Sequence, residues 1–267
     1  PNTKLIHLDS NPREVEKIYP TEVGILCDPK AGLEDLSQAL DQDMSGPAKE
    51  AAATRAATLA DERSRYHQGA ARNLKEHWDR RPMAVERMMH ELAHALPSNA
   101  IIADEAVTSR PALMRSMNFD EPGSFYGIQG GALGWAMPGA LGVQLANPDR
   151  PVVAVVGDGA SMYTVQALWT AARYNIPVTY AICNNRSYRI LKLNMDIYLR
   201  RMLEDRERES EYVGMDFPSA LPLADIAQAL GVSSVKVEDP DGLRRSAEEA
   251  IASGIPALLD ISIDGAL

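Results

Sequence analysis

The sequence predicts an α/β chain whose larger part is a doubly wound parallel sheet, preceded by a smaller α/β piece. Short apolar, β-branched runs, chiefly VVAVV at 152–156 and VTYAIC at 178–183, have the length and continuity of strands buried on both faces. Between those two lies a stretch of about four helical turns, so strand, helix and strand form a crossover unit with both strands parallel. The turns that follow them, Gly157-Asp158-Gly159 and Asn184-Asn185, therefore emerge at one sheet edge, where open α/β sheets bind ligands.

The first forty residues read as a βαβα piece. It comprises a strand LIHLD, a polar turn with Pro12, a short helix around 14–19, a strand VGILCD and a helix over 32–40. This is too small to be a doubly wound domain by itself. Residues 41–81 are rich in Ala, Glu, Arg and Lys with few large apolar positions, which predicts a linker containing a solvated helix. Pro82 opens a helix reaching Leu96, with Val85, Met88, Met89, Leu92 and Leu96 on one face. The strand AIIAD follows, ending at Asp104-Glu105-Ala106-Val107-Thr108.

That helix contains His90-Glu91-Leu92-Ala93-His94, a formal HExxH match that can hold zinc between two imidazoles one turn apart, with the glutamate as base. No third ligand is evident, the histidines fall opposite Leu92, and the helix leads straight into a parallel-sheet pattern. It is read as a surface helix.

A glycine-rich loop at 127–134 (GIQGGALG) then runs into a helix carrying Pro138. After the two strands and their turns, a long charged run, MDIYLRRMLEDRERESEY, is expected to form a helix covering the sheet edge, with i, i+4 ion pairs. A helix over 222–230, a strand VSSVKV, a helix over 241–253 and a final strand PALLDISI complete the sheet.

Composition narrows the function. With 267 residues, 45% apolar and 24% charged, the chain can bury a full core, and its net charge of −10 argues against a nucleic-acid surface. No apolar run approaches membrane-spanning length, and the first residues do not read as a signal peptide. Cys27 and Cys183 lie far apart beside apolar strand-like runs, so reduced, buried thiols and a cytoplasmic address are expected.

The two turns carry the chemistry. Gly157 and Gly159 suit a tight turn and close ligand approach, while Asp158 sets a carboxylate at the mouth of a helix. A bare phosphate is repelled there, but a divalent cation between carboxylate and phosphate reverses the sign. Asn185 and the main-chain oxygen of Ser187 add hard oxygen ligands, so the site reads as Mg²⁺ plus diphosphate. A dinucleotide turn is the rival, but Met162 stands at the third glycine position of GxGxxG and no acidic residue follows for a ribose.

GDG followed, after a helix and a strand, by NN resembles the signature of thiamine-diphosphate enzymes. The surrounding text is similar to the C-terminal half of the decarboxylase and acetolactate synthase family, nearest to the benzoylformate decarboxylases. The similarity runs from Gly123 through the GDG turn to ALWTAARYNIPVTYAICNN and extends over essentially the whole chain. It implies the thiamine-diphosphate-binding fold over 82–267, a linker over 46–81 and the end of a middle domain over 1–45.

The resemblance also implies roles. Thr108, Gly157, Asp158, Gly159, Ala160, Ser161, Asn185, Ser187 and Tyr188 would surround the cofactor's diphosphate end, with N-capping as the competing role for Thr108. Asp158, Asn185 and Ser187 would hold Mg²⁺. The Gly131 carbonyl would accept from the aminopyrimidine, Leu133 would bend the cofactor into its V shape, and Ile190, Leu191 and Asn194 would line the substrate pocket. The sequence departs from the benzoylformate decarboxylase pattern at Arg189, Ile190 and Asn194, which leaves the acyl group open. The activating glutamate is expected on an N-terminal pyrimidine-binding domain outside this chain, in a homodimer or homotetramer. The implied activity is decarboxylation of a 2-keto acid, with acetolactate-type carboligation or a non-catalytic, cofactor-binding scaffold as alternatives.

Overall fold

The computed structural model describes residues 3–128, 130–205, 207–208 and 210–266. The chain divides into two compact units, residues 1–66 and 67–267. In the first, the parallel strands β1 (Ile6–Asp9) and β2 (Val23–Leu26) pair from Ile6 with Val23 to Asp9 with Leu26. Helix α1 (Pro29–Asp43) follows; the Asp28 carboxylate caps it by accepting from the main-chain N–H groups of Lys30 and Ala31, with Pro29 in the first turn. The helix expected around 14–19 is absent. That stretch is a run of turns in which Glu16 takes a φ of 61°, which no right-handed helix accommodates, so the piece is ββα rather than βαβα.

Helix α2 (Gly46–Glu76) begins in the first unit and ends in the second, and none of its residues is buried. Its alanines, arginines and glutamates favour helix without offering an apolar stripe to pack.

The second unit holds a six-stranded, wholly parallel sheet. In chain order it comprises α3 (Val85–Ala95), β3 (Ile101–Glu105), α4 (Arg110–Ser116), β4 (Phe125–Gly127), α5 (Ala136–Ala146), β5 (Val152–Gly157) and α6 (Asp158–Ser161). It continues with α7 (Ala167–Tyr174), β6 (Val178–Asn184), α8 (Arg189–Ile197), α9 (Leu223–Ala229), β7 (Ser233–Val237), α10 (Pro240–Ala252) and β8 (Ala257–Ser262). The spatial order is β4-β3-β5-β6-β8-β7.

Both faces of the sheet are covered, which is why β5 is apolar along its whole length and β6 nearly so, with Thr179 and the terminal Asn184 as its polar positions. Along β5, Val152, Ala154 and Val156 enter one core with Met137, Leu168 and Leu223 from α5, α7 and α9. Val153 and Val155 enter the opposite core with Met88, Leu92, Leu113 and Leu243 from α3, α4 and α10. Each fully buried valine or leucine contributes roughly 1.5–3 kcal/mol relative to exposure.

Three local expectations are corrected. Pro82 does not open α3; Met83 instead bridges to Ile263 at the sheet's edge and the helix begins at Val85. The expected single helix between β5 and β6 is broken into α6 and α7, because the intervening segment docks on the glycine loop, where Thr164 Oγ1 donates to the Gly134 carbonyl at 2.8 Å. The charged run is helical only through α8 and a π-helical turn, Tyr198–Met202; after it the chain is irregular, and Arg206 and Glu209 of that run lie outside the described residues. The short elements β4 and α4 were not anticipated.

Candidate functional site

Register brings the tips of β3, β5 and β6 side by side. Glu105 pairs with Val156, and Gly157 pairs with Cys183, so Asp158 leaves β5 where Asn184 and Asn185 leave β6. A cavity of about 370 Å³ opens at this edge. Of the residues expected at the site, Thr108, Leu133, Gly157, Asp158, Gly159, Ala160, Asn185, Ser187, Tyr188, Ile190 and Leu191 line it.

Asp158 is the focus of the cavity. Its carboxylate is 3% exposed and is held from two sides, Oδ1 accepting from its neighbour Gly159 N at 2.8 Å and Oδ2 from Arg186 N at 2.7 Å. Burial nevertheless dominates and raises its pKa to about 6, against the lowering effect of these N–H donors, with Asp260 adding to the rise. Each carboxylate oxygen retains a lone pair that could be offered to a cation.

The turn after β6 is built to face Asp158. Asn185 Oδ1 accepts from Ser187 N at 2.9 Å, and Arg186 takes a φ of 56° between them. The segment is clamped from behind: Tyr188 N donates to Met215 O at 2.8 Å, Phe217 N to Arg186 O at 2.9 Å, and Ser187 Oγ to Met215 O at 3.1 Å. Among the described residues no cluster of three or more His, Cys, Asp or Glu side chains could hold a metal alone. A cation here would draw on one carboxylate, one amide oxygen and main-chain oxygen, a donor set suited to a hard ion that keeps water and phosphate among its ligands.

The glycines play different parts from those the sequence suggests. Gly157 has φ −70° and ψ 151°, ordinary extended backbone, so no tight turn requires it. Gly159 is needed for packing: a Cβ there would lie 2.7 Å from Tyr188 Cε1 and 3.1 Å from Cδ1. The close approach is by that ring, itself packed edge-on against Phe217 at 4.7 Å. Gly131 has a φ of 75°, is exposed and has open space around it; Gln129 in the same loop lies outside the described residues.

Three expected site residues lie outside the lining. Ser161 is buried with its hydroxyl donating to the Asp158 main-chain oxygen at 2.7 Å, a bond within its own helical turn. Gly131 stands apart on the loop, and Asn194 is exposed further along α8. Thr108 is not the cap of α4; Ser109 occupies that position, without a side-chain capping bond.

Sequence reasoning missed Glu105. Buried at the tip of β3, its carboxylate accepts from Gly134 N and, at 2.8 Å, from Ala136 N, tying the glycine loop and the start of α5 to the sheet edge. Burial raises its pKa. Two consecutive acidic residues, Asp104 and Glu105, ending a strand that begins Ile-Ile-Ala are the signal that was available. Tyr163, Cys183 and Arg189 also line the cavity; Cys183 is a free thiol whose pKa is pushed up by burial, and Cys27 is free and half-buried.

The HExxH segment is structural. Glu91 is buried and accepts from Arg87 Nε at 2.8 Å and from Arg244 Nε at 3.0 Å, while Arg87 stacks on Trp78 at 3.4 Å. His94 is exposed and His90 half-buried, their rings 4.1 Å apart. A buried glutamate whose oxygens are both engaged by guanidinium groups is not free to reach a substrate.

Comparison with known proteins agrees with this geometry. Residues 107–261 match the family described as thiamine pyrophosphate enzyme, C-terminal TPP binding domain. Benzoylformate decarboxylase of Pseudomonas aeruginosa is 29% identical over 180 residues, covering 67% of this chain and 32% of that protein. A probable acetolactate synthase large subunit of Methanococcus aeolicus is 28% identical over 269 residues, covering 98% and 43%. The thiamine diphosphate-dependent 4-hydroxybenzoylformate decarboxylase of Rhodococcus jostii RHA1 shares the fold with a TM-score of 0.74 at 24% identity, covering 98% of this chain and 44% of that one. The matches thus span 32% to 44% of the length of these relatives. With the family match extending over more than half its residues, the chain belongs to the thiamine pyrophosphate enzymes and carries their C-terminal TPP-binding domain.

Proposed function

We propose that this chain is the diphosphate- and Mg²⁺-binding half of a thiamine-diphosphate-dependent 2-keto acid decarboxylase resembling benzoylformate decarboxylase. The observation that carries the reading is the convergence of Asp158 and the Asn185–Ser187 turn on one cavity at adjacent strand tips. Asp158, Asn185 Oδ1 and the main-chain oxygen of Ser187 hold the cation, while Thr108, Gly157, Gly159 and Ala160 bring small groups and main chain toward the phosphates. Leu133 and the Gly131 carbonyl serve the organic end, and Ile190 and Leu191 enclose the acyl group. When bound, thiamine diphosphate supplies the electron sink for losing carbon dioxide from a 2-keto acid. An N-terminal pyrimidine-binding domain, in the same or a neighbouring subunit of a dimer or tetramer, supplies the activating glutamate, and residues 1–267 alone do not turn over. The free Cys27 and Cys183 support a reducing, cytoplasmic setting.

Acetolactate-type carboligation is the second reading, favoured by a match over nearly all of this chain to a probable acetolactate synthase large subunit. Product analysis with the completed protein separates the two: benzaldehyde and carbon dioxide from benzoylformate support the first, acetolactate from pyruvate the second. Calorimetry with thiamine diphosphate and Mg²⁺ tests cofactor binding; no heat of binding, even with the completing domain present, leaves only a scaffold. Full turnover by purified residues 1–267 would overturn the half-enzyme reading.

A further inference from the structure

Among the described residues, the cavity has two charged groups in its walls, Asp158 and Arg189. Asp158 is accounted for by the cation site. Arg189 has no counterpart: its Nε is buried without a hydrogen-bond partner, and among the described residues no carboxylate forms a salt bridge with it. It also lines a second pocket of about 280 Å³, which meets the first at Arg189 and Thr108. The other arginines there are neutralised, Arg80 by Asp264 at 2.9 Å and Arg115 by Glu86 at 3.5 Å. A guanidinium donor that has lost water and gained no acceptor costs free energy until an anion arrives.

We propose that Arg189 is a further phosphate-binding residue, donating from the wall shared by the two pockets to a phosphate oxygen of the cofactor's diphosphate. The inference rests on the cofactor reading above and names a residue that the Asp158, Asn185 and Ser187 set does not include. Arg189 lies two residues beyond Ser187, so the turn that offers oxygen to the cation also brings a cation to the phosphates. The division of labour follows from charge. Asp158 binds phosphate only through the metal and repels it otherwise, whereas a guanidinium fork pairs with phosphate oxygens directly. Arg189 therefore anchors the diphosphate even when the metal is absent, and the Thr108 hydroxyl on the same shared wall is placed to donate beside it.

The test is calorimetric titration of the chain with thiamine diphosphate, inorganic pyrophosphate and thiamine, each in Mg²⁺ and in EDTA. Arg189→Gln is expected to weaken both phosphorylated ligands by about tenfold or more under either condition, and to leave thiamine unchanged. Arg189→Lys, which keeps the charge without the fork, should recover part of the loss. Unfolding of the metal-free variants monitors their folding. Wild-type affinity of Arg189→Gln for pyrophosphate and thiamine diphosphate would overturn the proposal while leaving the cofactor reading standing. Pyrophosphate binding sensitive to Arg189, with no binding of thiamine diphosphate to the wild type in Mg²⁺ even with the completing domain present, would overturn the cofactor reading and the assignment to its phosphates.

Discussion

Asp158 makes the metal-free protein more stable in mild acid, and the size of the effect follows from its burial. Its folded pKa of about 6 stands above the reference value of 3.8, a raised carboxylate. The folded state therefore binds the extra proton between those values. The associated stability is fully present below the unfolded pKa and is lost as pH rises through the folded one. A shift of about two units corresponds to about 3 kcal/mol in full, of which about 1.3 kcal/mol falls between pH 7 and pH 5. The assay is urea unfolding of wild type and Asp158→Asn at both pH values, followed by tryptophan fluorescence; Trp78, Trp135 and Trp169 all lie in the second unit and report on it. Other carboxylates titrate in both proteins and cancel in the difference. Wild type should gain about 1 kcal/mol over the variant on going from pH 7 to pH 5. Saturating Mg²⁺ with thiamine diphosphate should abolish that gain, because the cation competes with the proton for the same oxygens. Parallel pH dependences for the two metal-free proteins would show that Asp158 is not reluctant to ionise, and a wild-type gain that survives saturating Mg²⁺ and thiamine diphosphate would show that it is not a ligand.

Four further variants have expected outcomes. Gly159→Ala drives its new methyl into the Tyr188 ring at 2.7 Å, so it should lower stability by about 1–3 kcal/mol and weaken cofactor binding as the ring is displaced, both measurable by unfolding and calorimetry. Glu105→Ala leaves the N–H groups of Gly134 and Ala136 without their acceptor; a loss of about 2 kcal/mol or more is expected, with faster hydrogen exchange confined to the 130–136 loop. Glu91→Ala removes the acceptor of Arg87 and Arg244 and should cost about 3–5 kcal/mol. His94→Ala at the exposed position should cost under about 1 kcal/mol, and added zinc should protect neither the wild type nor the His94 variant against unfolding.

What could be read from the sequence was local. VVAVV and VTYAIC announce central strands because both faces of β5 and β6 are buried, so Thr179 alone interrupts the two apolar runs. The GDG and NN turns announce a site because strand polarity puts both turns at one edge. The β4 strand escaped for the converse reason. Only three residues long, it lies at the sheet's margin against β3 alone, and its half-buried pattern carries no recognisable period. The turns around Glu16 escaped because a left-handed residue interrupts a stretch whose composition suits a helix.

The partnerships that shape the site cross long stretches of chain, and there local pattern fails. Gly159 is glycine because of a ring 29 residues downstream, and Glu105 is buried because a loop 29 residues downstream returns to it. HExxH misleads for the same reason. Its spacing is that of a metal motif, yet Arg87, one turn before Glu91, already offers an i, i+4 ion pair, and Arg244 completes the pair's neutralisation from α10. The motif and the ion pair make opposite demands on one side chain: a base must be free to reach its substrate, whereas a carboxylate hydrogen-bonded between two guanidinium groups is held in place. Asp158 stands at the other extreme, buried with main-chain donors and, among the described residues, no cationic side chain as a hydrogen-bond partner. Between the two carboxylates, the one still lacking a positive partner is the one that a divalent ion would neutralise.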